Sequence, residues 1–198
     1  MKVKPKTQIE RSEHTRAQLL AAARRLFGER GYGDVGTEEI VRAAGVTRGA
    51  LYHHFDGKLG LFRALYEQVE IELTQRIAEH ALALPDPWDQ LVAGTDMFLE
   101  ACTDSAVQQI VLIDGPAVLG WNEWREIGER YGLGVIKLGI QNLIDAGAIE
   151  PRPVDPLAHM LLGAIDEGAL LLARAEDPEA TRAAITANVR AMLEGLRA

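Results

Sequence analysis

The sequence predicts an all-α protein. Three observations carry this: apolar residues recur at helical spacing along most of the chain, Asp-Pro pairs at 86–87, 155–156 and 177–178 mark helix starts, and no strand-like alternation, repeat or low-complexity run intervenes. In an Asp-Pro start the carboxylate caps free backbone N–H groups, and proline occupies the first helical position, where its missing N–H costs nothing.

Taken in order, residues 1–11 lack periodicity and are expected to form a flexible basic arm. A first helix spans about Ser12 to Arg30 and buries Leu19, Leu20, Ala23, Leu26 and Phe27. Residues 37–55 then read as two short helices joined by a tight turn. Thr37 is placed to cap the first, with Ile40, Val41 and Ala44 on its inner face, and Gly45 supplies the left-handed conformation that ends it. Val46 plugs the corner and Thr47 caps the second helix, whose Leu51 and Phe55 point inward while Arg48, Tyr52 and His53 point elsewhere. This division suits a helix-turn-helix, in which one face holds the second helix down and the other carries donors for phosphates and base edges.

A fourth helix begins near Asp56 and runs through Phe62, Leu65, Tyr66, Val69, Leu73 and Ile77 to about Ala83. At ~1.5 Å per residue it is roughly 40 Å long, well beyond the reach of a three-helix head. Further helices are expected near 87, over 106–113 with a break at Gly115-Pro116, over 122–145 ending at Gly147, and near 156 and 178, with 149–155 an extended connector because residues before proline avoid the helical region. The total is nine helices, divided into a head over 1–57 and a larger body over 58–198.

The 198 residues carry a net charge of −8, which looks wrong for a polyanion binder until it is divided. Residues 1–60 hold 11 Lys+Arg and 7 Asp+Glu, a net of +4, and the remainder holds 10 and 22, a net of −12. A basic module sits on an acidic body. The single cysteine, Cys102, excludes an intramolecular disulfide and fits a reducing cytosol. The basic N-terminus is followed by no apolar stretch, so no signal peptide is expected, and Asp166 and Glu167 interrupt the best candidate for a membrane span. A cytoplasmic protein is expected.

The motif and its flanks resemble the N-terminal domain of the tetracycline-repressor (TetR) family of bacterial transcription regulators over about residues 12–66. The leading helix from Arg16, Gly31-Tyr32, Thr37, Gly45-Val46, Leu51-Tyr52, Phe55 and Lys58 all stand in register. The resemblance implies a dimeric regulator, a repressor released from operator DNA by a small molecule, with a variable C-terminal domain that binds the inducer and dimerises. No cofactor and no metal are implied.

The residues then fall into three groups. For DNA, Arg48 is the candidate for base readout, because a guanidinium pairs bidentately with guanine. Thr37 and Thr47 serve as helix caps, phosphate contacts or both. Gly49 and Ala50 let the helix sit deep, or are small only because space is tight. Tyr52 and His53 resemble the family's phosphate-contacting pair, although packing or plain surface exposure would also account for them. Lys58 in the first turn of the fourth helix opposes the helix dipole, which makes sense with a phosphate between, and Arg16 reaches the neighbouring backbone. Glu38 and Glu39 leave base reading from the second helix without support.

One head offers too few contacts for tight specific binding, and paired heads sit roughly 34–36 Å apart on successive DNA turns. Leu157, Leu161, Ala164 and Leu171 stripe one C-terminal helix and Val189, Met192, Leu193 and Leu196 the next. The resemblance implies that these form a four-helix bundle between subunits, while filling the subunit's own core is the other use of such stripes. Pocket candidates are Trp88, Met97, Phe98, Cys102, Trp121, Trp124, Tyr131, His159 and Asp166, any of which core packing would also explain. Asp155, His159 and Asp166 share a helix face, but further cysteine and histidine ligands for a metal are lacking. Two other readings stay open: a small helical enzyme using Asp114, His159, Asp166 or Glu167, which lacks nucleophile–base spacing, and an interaction module with a degenerate DNA head.

Overall fold

The N-terminal helix starts earlier than periodicity suggests, because Thr7 and Glu10 form a capping box. The Thr7 hydroxyl accepts from the Glu10 N–H and the Glu10 carboxylate from the Thr7 N–H. The structure, a computed structural model, describes residues 7–197, so the first six residues of the expected arm lie outside it and 8–11 are helical. Among the described residues the chain forms nine continuous helices and no strand, apart from one isolated bridge between Ile149 and Arg197.

The head is α1 (Gln8–Arg30), α2 (Thr37–Ala44) and α3 (Arg48–His54). Its core joins Leu19, Leu26, Ile40 and Leu51 to the rings of Phe27, Tyr32 and Phe62, whose centroids lie 5.2–5.7 Å apart. Phe62 comes from α4 (Gly57–Leu82), which runs out of the head and packs along α5 (Pro87–Ala101). The body continues with α6 (105–119), α7 (121–145), α8 (Val154–Leu172) and α9 (Pro178–Glu194), around a core that includes Leu99, Ile110, Ile140, Leu143 and Ala158. Ion pairs brace its seams: Arg63 with Glu123 and Arg130 with Glu67 tie α4 to α7, and Arg190 with Asp96 ties α9 to α5.

Several local expectations need correction. Thr37 is the first residue of α2 and not its cap, since Gly36 holds that position and the Thr37 side chain bonds no backbone N–H there. Asp56 precedes α4 without a side-chain capping bond. Asp86 and Asp177 do cap, accepting from Trp88 and Asp89 and from Ala180 respectively. Asp155 does not: α8 begins one residue earlier, at Val154, and the Asp155 carboxylate lies 2.6 Å from Lys137 Nζ on α7. Gly115-Pro116 does not break its helix either. A π-helical segment, Gln108–Asp114, runs directly into it, and the widened turn accommodates a proline that has no N–H to donate. The break falls at Gly120, after which α7 runs to Asp145 through a second π segment, Glu129–Leu133.

Close helix crossings depend on glycine. A Cβ on Gly115 would stand 2.8 Å from the Tyr66 ring and 3.0 Å from Trp124, so only a hydrogen lets α6 settle against α4 and α7 there.

Candidate functional site

The turn between α2 and α3 is built by Gly45, whose φ of 66° and ψ of 30° place it in the left-handed region. Its N–H bonds the Arg42 carbonyl at 3.1 Å and the Val46 N–H bonds Val41 at 3.0 Å, the paired bonds of a Schellman ending. The Thr47 hydroxyl then caps α3 by accepting from the Ala50 N–H at 3.3 Å. Leu51 and Phe55 are buried beneath α3, so the helix is held by its inner side.

The outer side presents Thr47, Arg48, Gly49, Tyr52 and His53, all exposed, with Ala50 half-buried. Arg48 lies 5.5 Å from the centre of the Tyr52 ring and pairs with Glu38 of α2 at 2.8 Å. Thr37 is half-buried at the start of α2, whose first free N–H groups no side chain caps. Arg16 lies over the Phe55 ring at 4.7 Å, linking the start of α1 to the end of α3. Lys58 is folded onto the Tyr32 ring, with Nζ 3.9 Å from its centre, and partial burial holds its ammonium below the usual range. His54 is half-buried, and desolvation followed by the charges of His53 and Arg16 lowers its pKa.

A second site lies in the body, in a cavity of about 170 Å³ enclosed by α4, α5, α6, α7 and α8. Of the sequence candidates, Phe98, Trp124 and Asp166 line it. The remaining six do not. Trp88 is buried against the Arg197 guanidinium, Cys102 is wholly buried, Met97 and Tyr131 are half-buried, Trp121 is 65% exposed, and His159 stands 3.9 Å from Glu129. Asp155, His159 and Asp166 are thus drawn to three different partners, Lys137, Glu129 and Arg125, and no group of three metal-ligating side chains occurs among the described residues.

The cavity also exposes residues that sequence reasoning passed over, chiefly Tyr66, Glu70, Arg125 and Asn142. Glu70 could have been found: it lies four residues after Tyr66 on α4, a spacing that puts both on one face of the helix. Its carboxylate accepts a hydrogen bond from the Tyr66 hydroxyl at 2.9 Å, and burial pushes its pKa up to about 7. Burial likewise pushes Asp166 up to about 6, against the lowering effect of Arg125 at 3.6 Å. The Trp124 indole N–H donates to the Val111 carbonyl at 3.3 Å.

One segment touches both sites. Val111 and Leu112, in the π-helical part of α6, line the cavity. Asp114, two residues on, is buried and accepts from the Tyr32 N–H of the head at 2.7 Å.

On the C-terminal helices, Leu161, Val189 and Leu193 are buried within the subunit's own core, and Leu157, Ala164 and Leu196 are half-buried. Leu171 and Met192 are 58% and 61% exposed, and Met160, absent from the sequence candidates, is 73% exposed.

A small head with a capped, half-exposed second motif helix, joined by a long helix to an all-helical body, defines a helix-turn-helix regulator. Residues 19–65 match the family model described as bacterial regulatory proteins, tetR family, and residues 88–196 match the tetracyclin repressor-like C-terminal domain. The chain therefore belongs to the tetracycline-repressor family of transcription regulators. It is 31% identical to the TetC protein of transposon Tn10 from Escherichia coli over 79% of each chain. It is 38% identical to the regulator CymR of Pseudomonas putida over 58% of each. A crystal structure of a TetR-family regulator from Pectobacterium atrosepticum superposes with a TM-score of 0.83 at 34% identity, covering 97% of this chain and 98% of that one.

Proposed function

We propose that the protein is a dimeric repressor that binds a specific operator through paired α3 helices and releases it when a small molecule enters the body cavity. The observation that carries this reading is the α6 segment that lines the cavity with Val111 and Leu112 and bonds the head through Asp114. A ligand that fits one arrangement of α4 and α6 better than another shifts the heads between matched and mismatched spacing, and only such unequal binding can do so. Thr47, Arg48, Tyr52, His53 and the free N–H groups above Thr37 supply the DNA contacts, with Arg48 reading bases and the others gripping the backbone. Gly49 and Ala50 allow close approach, and Lys58 and Arg16 extend the grip once they leave the Tyr32 and Phe55 rings. The exposed Met160, Leu171 and Met192 form the dimer face of α8 and α9.

The test is selection of bound duplexes from a random pool, followed by gel shifts across a salt series. A palindromic site bound in a salt-sensitive way is expected. Binding that ignores sequence, or no binding to duplex DNA, overturns the reading.

A further inference from the structure

The wall of the body cavity is apolar and aromatic except for a few groups. Three of them are charged: Glu70, Asp166 and Arg125. Arg125 lies against Asp166 and leans on the rings of Trp121 and Trp124, at 5.8 and 5.9 Å. Its charge is therefore already matched. Glu70 is only 8% exposed, and its carboxylate receives one hydrogen bond, from Tyr66, and no cation among the described residues. A carboxylate held in an apolar cavity without a counter-charge is costly, so it marks a place where the protein forgoes stability. Tyr66, which bonds Glu70, and Trp124 both line the cavity and both approach Gly115, and aromatic faces attract cations and not anions.

We propose that the cavity takes a hydrophobic organic cation, an aryl- or alkylammonium or related onium compound, with its charge against Glu70 beside the Tyr66 and Trp124 rings and its apolar body among Leu91, Phe98, Ile136 and Leu162. This rests on the reading of the cavity as the ligand site. The bound cation supplies the counter-charge that Glu70 lacks. The groups facing Glu70 are Tyr66 on its own helix, Asp166 on α8 and the Cys102 thiol, while Arg125 on α7 is turned to Asp166. Burial pushes the thiol to about 12, so it stays neutral, and Asp166 is matched by Arg125, which leaves Glu70 as the carboxylate of the cavity wall without a cation among the described residues. Without a bound cation the Glu70 carboxyl, raised to about 7, is partly protonated near neutrality. Cation binding draws that proton off, so affinity rises with pH through that range.

The test uses the full chain, intrinsic tryptophan fluorescence and three probes of similar shape: benzyltrimethylammonium, its uncharged carbon isostere neopentylbenzene, and the anion 3-phenylpropionate. The cation is expected to bind at least about tenfold more tightly than either of the others. Glu70→Gln is expected to abolish that preference while leaving neopentylbenzene binding in place. Should the variant fold poorly, the unmodified protein provides the second measurement: cation affinity is expected to rise about threefold or more from about pH 6 to about pH 8, with no such trend for the isostere. Equal or tighter binding of neopentylbenzene overturns the cation inference and leaves the pocket reading intact. Preference for 3-phenylpropionate overturns it in favour of Arg125 as anchor. Failure of all three probes to bind overturns both. A cation that binds but leaves operator affinity unchanged supports the site and removes the release mechanism proposed above.

Discussion

Arg48 shows how one side chain can be both ready and restrained. Its partner Glu38 sits at the acidic start of α2, where the helix dipole favours a carboxylate, and both side chains are about two-thirds exposed. So exposed a pair is weak and DNA can displace it, yet it holds the guanidinium over Tyr52 beforehand. Arg48→Ala is expected to cost about 1–3 kcal/mol of discrimination at one base position, read as flattened selectivity in competition gel shifts. A variant that keeps full discrimination removes Arg48 from base readout. Glu70 carries a different prediction. Its folded pKa of about 7 lies above the ordinary glutamate value of 4.5, so the folded state binds the extra proton between those pH values and stability falls as pH rises through them. Glu70→Gln removes that dependence. It is expected to stabilise the ligand-free protein by up to about 3 kcal/mol at pH above 7 and to lose the advantage below about pH 4.5, as denaturant midpoints across a pH series will show.

At the scale of elements, α6 makes the connection between sites. Its π segment brings cavity residues and the Asp114 bond to Tyr32 within one helical stretch. Asp114→Ala leaves the Tyr32 N–H without its acceptor, at a cost of roughly 1–3 kcal/mol in stability. The same variant is expected to bind operator with an affinity that ligand no longer changes, which a titration of DNA binding against inducer reads directly. Gly115→Ala tests the packing of that helix. Its Cβ has no room between Tyr66 and Trp124, so roughly 1–3 kcal/mol of overpacking is expected as a lowered melting temperature.

For the whole molecule, the charge division matters most. The basic N-terminal part faces a polyanion while the acidic body resists nonspecific attachment to it. Two heads are required for a palindromic site, and the exposed apolar residues of α8 and α9 are where a second copy would seat. Leu171→Asp combined with Met192→Asp is expected to give monomers by sedimentation and to weaken operator binding by about 100-fold or more, since each head then binds alone. Retained dimers would place the interface elsewhere.

The helix-turn-helix was legible in the sequence because its determinants are local. Gly45 sets one backbone angle, Thr47 caps the next turn, and Leu51 and Phe55 are spaced to face inward together. The Asp86 and Asp177 starts were legible for the same reason. Asp155 was not, because Lys137 from another helix competes for it, and Gly115-Pro116 was not, because a π segment ending at Asp114 runs directly into it and carries the helix on to Leu119. The C-terminal stripes located both helices but could not separate core from surface: Leu161, Val189 and Leu193 turn inward while Leu171 and Met192 stay outside. The cavity depended on the tertiary structure most of all. Glu70, Arg125 and Asp166 come from three helices, and helical spacing tells which residues share a face of one helix but not which face of another it meets.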